Sequence, residues 1–89
     1  MYLHLGKDTV IKLRDIIGIF DLDKSTISKQ TRDFLSSAEQ NGQVINVTTE
    51  LPKSFVLCNK KDKFVVYISQ ISTTTLLKRT NYLDEIANI

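Results

Sequence analysis

Few residues in this chain have side chains capable of covalent or metal chemistry: His4 is its single histidine and Cys58 its single cysteine. A zinc centre takes three or four nitrogen and sulfur ligands, so this pair would have to borrow carboxylates, and no Cys/His spacing supports that. Nucleophilic catalysis needs a nucleophile with a base in reach. Cys58 follows Phe55, Val56 and Leu57, the setting of an inert core thiol. His4 follows Tyr2 along one strand face and reads as a structural or partly exposed residue. Asp21 and Asp23 form an Asp-x-Asp pair just ahead of a helix. Two carboxylates there, without a further ligand set, satisfy turn and cap amides more readily than they hold a cation. Gly6, Gly18 and Gly42 stand apart, in neither a dinucleotide fingerprint nor a phosphate loop. The sequence therefore predicts a protein that is not an enzyme and carries no metal or other cofactor.

What remains is electrostatics. The net charge is +2, but it is unevenly spread: residues 1 to 50 hold six Lys or Arg against seven acids, residues 51 to 89 six against three. Between Lys53 and Arg79 the only acid is Asp62. A surface built from that stretch would suit a polyanion, although lysines at a solvated hairpin tip serve solubility equally well. A helix-turn-helix needs two adjacent helices, and strand-like Val44 to Val47 follows the one strong helix, so contact with double-stranded DNA would come from loops and hairpins. The candidate DNA-contacting residues are Arg14, Lys53, Lys60, Lys61 and Lys63. One small unit offers few phosphate contacts, and repetition around a homo-oligomer would multiply them.

These side chains must be positioned by 89 residues, room for one domain. Apolar residues at 42% and charged residues at 25% suit a folded chain. No apolar run approaches the ~18 residues of a membrane span, and no secretory signal opens the chain, which makes the cytoplasm the default. Tyr2 to Leu5 and Thr9 to Leu13 flank a turn and read as a hairpin. Ile16 to Phe20 is apolar on both faces, with Gly18 permitting a bend or close approach. After Asp23 the period changes: Ile27, Thr31, Phe34, Leu35 and Ala38 fall at steps of three and four and predict a helix. Ser25 or Thr26 would cap its start and Gly42 its end, and Phe34→Asp is expected to unfold the domain. Val44 to Val47, Phe55 to Cys58 and Phe64 to Ile68 read as strands, the last two joined by the loop Asn59, Lys60, Lys61, Asp62. Ser69 to Arg79 suits a short turn or helix, and Tyr82 to Ile89 a marginal helix or tail.

The expected fold is α+β, in the order β-β-β-α-β-β-β plus a weak C-terminal element, with a small, mostly antiparallel sheet. Residues 1 to 79 would form the domain and 80 to 89 the tail. One helix covers one sheet face, yet three strands are apolar on both, so a second subunit is the expected cover and the protein an oligomer, ring-forming or otherwise.

Tyr2-Leu3-His4-Leu5-Gly6, Thr9-Val10-Ile11, Arg14-Asp15-Ile16-Ile17-Gly18-Ile19-Phe20-Asp21 and Lys53-Ser54-Phe55-Val56-Leu57 resemble the bacterial extracellular matrix regulatory protein family, in particular its B-type, over about residues 1 to 79. The resemblance implies a cytoplasmic protein concerned with biofilm matrix genes. It also implies kinship to A-type relatives that bind bent DNA as rings, and Arg14 lies where that type carries a DNA-contacting arginine. Where the A-type has paired arginines, this chain reads Glu50-Leu51-Pro52-Lys53. A lysine cannot replace two forked guanidinium groups. The leading expectation is an oligomeric DNA-binding transcriptional regulator of extracellular matrix genes, nucleoid-associated through that binding. The alternative is a non-catalytic interaction protein of the same fold that modulates a related regulatory partner without binding DNA.

Overall fold

A computed structural model of the chain describes residues 1 to 25 and 28 to 87, leaving aside the side chains of residues 25 and 81 to 87. Tyr2–Gly6 (β1) and Thr9–Lys12 (β2) form a hairpin, followed by a 3-10 turn at Leu13–Asp15 and the strand Ile16–Asp21 (β3). A single helical turn, Leu22–Ser25 (α1), precedes the helix Lys29–Gln40 (α2). Val44–Asn46 (β4), Ser54–Lys60 (β5), Lys63–Ser69 (β6) and the helix Thr73–Ala87 (α3) complete the order. The main sheet runs β3-β5-β6-β4.

This is an α+β fold with a mixed sheet. β1–β2, β3–β5 and β5–β6 are antiparallel, whereas β4 runs parallel to β6. The expected mostly antiparallel character holds except at β4, because α2 intervenes between β3 and β4 and carries the chain across the sheet to its far edge. The end of α2 shows how. Gly42 takes φ +70°; its amide bonds the Glu39 carbonyl at 3.1 Å, and the Gln43 amide bonds the Ala38 carbonyl at 2.8 Å. These are the two bonds of a Schellman stop, as the glycine predicts. At the other end, Ser28 occupies the cap position without a side-chain bond to the helix amides. Thr26 and Ile27 lie outside the described residues, as does the Ser25 side chain.

Alternation along β5 sends Val56 and Cys58 to one face, Phe55 and Leu57 to the other, and each face has its own core. On one, Val56, Cys58 and Tyr67 pack with Leu3, Leu5 and Ile11 of the hairpin and Leu76 of α3. On the other, Phe55 and Val66 pack with Ala38 of α2, flanked by Leu35 and Leu22. The expectation that the second face lacks an intrachain cover is thus corrected: the β1–β2 hairpin and α3 supply it. Buried serines fasten that cover. Ser69 Oγ donates to the Leu5 carbonyl at 2.6 Å and accepts the Ile71 amide at 3.0 Å, while Ser54 Oγ donates to the Ile71 carbonyl at 2.8 Å. Leu5 is the residue skipped in the β1–β2 register, between His4 and Gly6, so its carbonyl needs a partner from elsewhere.

Two local readings change. Phe34 is 39% exposed on the flank of α2, not at the centre of its buried stripe, where Ala38 sits at 4%. The β5–β6 loop is tighter than expected. Asn59 and Lys60 pair with Phe64 and Lys63, leaving Lys61 and Asp62, at φ +50° and +67°, as a two-residue turn of the type that matches strand twist.

Candidate functional site

The structure does not bring all five predicted site residues together. Lys53 immediately precedes β5 and Lys60 ends it; seven residues at about 3.3 Å each put them roughly 23 Å apart. Lys61 and Lys63 share the hairpin tip with Lys60, interrupted by Asp62. Arg14 sits in the 3-10 turn, lining an open cavity of about 450 Å³ with Met1, Tyr2, Lys12 and Leu13. Lys60 is already engaged: its Nζ donates to the Tyr67 hydroxyl at 2.5 Å and lies 5.1 Å from the ring centroid. Those distances place the ammonium off the hydroxyl end of the ring, not over its face. The Tyr67 bond raises the Lys60 pKa above its ordinary value.

Residues singled out for chemistry prove structural. Cys58 is fully buried, and desolvation pushes its thiol up to about 11, with Lys60 lowering it and Asp15 adding to the rise. A protonated thiol is a poor nucleophile. The His4 Nε2 meets the Lys7 carbonyl at 2.6 Å, so that nitrogen carries the proton. Asp21 Oδ1 accepts the Lys24 amide at 2.9 Å, closing the turn after β3. Among the described residues, no group of three or more His, Cys, Asp or Glu could hold a metal ion, and no helix is long and apolar enough to cross a membrane.

The structure instead draws attention to β3. It is an edge strand, with Ile17 54% and Phe20 38% exposed, and a cleft borders each of its faces, mixed in polarity on the α3 side and apolar on the α2 side. One, of about 330 Å³, lies between β3 and α3 and is lined by Ile16, Gly18, Ile19 and Leu77. The other, of about 260 Å³, lies between β3 and α2 and is lined by Phe20, Phe34, Phe55 and Leu57. Phe20 stacks on Phe55 with centroids 4.9 Å apart. A Cβ on Gly18 would fall 2.7 Å from the Phe20 ring, so the glycine admits that ring. The Ile16/Gly18 register shift leaves Ile17 unpaired. Sequence reasoning put Phe34 in the buried stripe of the helix and read Ile16 to Phe20, apolar on both faces, as a central strand, whereas it is an edge; the one advance signal was Gly18, marking a bend.

The pattern of the family described as RemA-like, Extracellular matrix regulatory protein A-like, matches residues 2 to 80. The chain belongs to that family. It is also similar to Extracellular matrix regulatory protein B of Bacillus subtilis (strain 168), 38% identical over 86 residues that cover 97% of this chain and 98% of the relative. Membership places the chain among regulatory proteins connected with the extracellular matrix, and it is not an enzyme.

The same finding corrects the leading functional expectation. The relative matched end to end is a B protein, and Leu51 and Pro52 stand here where the A-type is expected to carry paired arginines. The basic residues are split between opposite ends of β5, and α1, at four residues, is too short to serve as the first helix of a helix-turn-helix. The reading as a DNA-binding transcription regulator with double-stranded DNA as its partner is therefore withdrawn.

Proposed function

We propose that this chain is a non-catalytic regulatory protein of extracellular matrix and biofilm formation that works by contact with a related regulatory protein and does not bind DNA. The 38% identity to the B protein along nearly its whole length carries this reading. A partner of the same family would share the fold, and surfaces that associate copies of one chain are then suited to associate the two. The protein itself assembles into a homo-oligomer, a reading supported by exposed Ile17, Phe20, Phe34 and Phe64, more large apolar surface than a monomer needs. The domain spans residues 1 to 79, in keeping with the family match over 2 to 80, and its last helix, α3, runs on past that boundary to Ala87. It acts in the cytoplasm, and reaches the nucleoid only by way of its partner.

The test is native mass spectrometry of the purified protein alone and mixed with an A-type regulator, beside a DNA titration at low ionic strength. The expected result is a mixed complex and no salt-sensitive DNA binding. Tight DNA binding by the chain alone, or the absence of any complex, would overturn the proposal.

A further inference from the structure

Edge strands are usually protected from pairing by lysine, proline or an inward charge. Between Ile16 and Phe20, β3 has none, reading Ile-Ile-Gly-Ile-Phe. It presents six residues, whereas β4 at the other edge presents three. A strand added to β3 would send alternate side chains to the two sheet faces, where the two bordering clefts lie.

The charges at the ends of β3 say what that strand is. Lys12 and Arg14, with Asp15, make its start net positive; its end carries Asp21 and Asp23 beside Lys24 and Lys53, whose carbonyl accepts the Leu22 amide, and is close to neutral. A second copy of β3 laid antiparallel sets the basic start of each chain against the end of the other that carries Asp21 and Asp23, twice over by symmetry. A parallel copy would oppose like charges, which is unfavourable. The antiparallel, two-fold arrangement is therefore the one that keeps the basic starts apart. We propose that β3 pairs with β3 of a second copy in an antiparallel, two-fold seam, with Ile17 and Phe20 at its centre and Arg14 of each chain facing Asp23 of the other.

The seam rests on the self-association part of the proposed function and gives it a location. One strand pair with its flanking clefts makes a modest interface, so the dissociation constant should fall in about the micromolar range. Sedimentation velocity over a concentration series, with circular dichroism to confirm folding, tests it. Ile17→Lys, which puts a lysine on the edge, should weaken the dimer about tenfold or more. Arg14→Glu and Asp23→Lys should each weaken it, and the double variant should restore it. These two exposed positions decide the matter should Ile17→Lys fail to fold. A wild-type chain that stays monomeric overturns both the seam and the self-association reading. An oligomer indifferent to all these substitutions, or a double variant no better than the singles, overturns the seam and leaves self-association standing.

Discussion

Ser69→Ala removes the clasp between the β1–β2 hairpin and the main sheet. Ser69 is fully buried, and its hydroxyl joins the Leu5 carbonyl, orphaned by the bulge in β1, to the Ile71 amide, at 2.6 and 3.0 Å. Alanine leaves both backbone groups without that partner. An unsatisfied buried polar group costs about 1 to 3 kcal/mol, so the pair should cost roughly 3 kcal/mol after partial relaxation. In a domain of this size each kcal/mol lowers the melting temperature by about 4 to 8 °C, giving a fall of roughly 12 to 24 °C against a total stability of about 5 to 15 kcal/mol. Thermal and urea melts followed by circular dichroism measure this, with Ser28→Ala as control. Ser28 is exposed and its hydroxyl donates to the Gln30 side chain and not to the helix amides, so its loss should stay within about 0.5 kcal/mol. Ser54 converges on the same residue through the Ile71 carbonyl, and a double-mutant cycle of Ser54→Ala and Ser69→Ala should show coupling. A Ser69→Ala loss below about 1 kcal/mol would refute the view that these serines hold the hairpin in place.

Other consequences are as direct. Asp62→Gly, at a turn position with φ +67°, should raise stability by about 0.5 kcal/mol, the relief of left-handed strain exceeding glycine's entropy cost; a chemical melt reads it. Phe34→Ser should cost under about 2 kcal/mol and leave the chain folded, since the ring is 39% exposed; an unfolded spectrum would count against the placement of α2. Cys58 should resist a thiol reagent at pH 8 until denaturant opens the fold. Its thiol is pushed from 9.0 to about 11. Below pH 9 it is protonated in both states, and between 9 and 11 only the unfolded chain releases the proton, so stability should fall as pH rises through that window. The raised Lys60 pKa acts in the same direction above pH 10.5. Cys58→Ala should remove the thiol's share of the slope.

Much of the fold is legible in local pattern because local physics sets it. Alternation reveals β1, β2, β5 and β6, the shift to steps of three and four reveals α2, and Gly42 announces its stop through the one conformation that glycine takes freely. Gly18 marks the irregularity in β3. The site is far less legible. Of the residues singled out, Lys60, Lys61 and Lys63 meet at the β5–β6 hairpin tip, but a seven-residue strand holds Lys53 well away from them, and Tyr67 engages Lys60.

By itself the sequence determined the α+β class, the order of the strands along the chain, the main helix and its end, the absence of an assembled catalytic set, and the family resemblance. Each of these depends on residue type and short-range spacing. Only the tertiary structure decided that β4 runs parallel to β6, that the β1–β2 hairpin and α3 close the second face, and that Phe34 lies on a flank while β3 is left as an edge. Those outcomes depend on which elements meet across long stretches of chain, as in the Ser69 hydroxyl reaching the Leu5 carbonyl 64 residues away, and no local pattern encodes such a meeting.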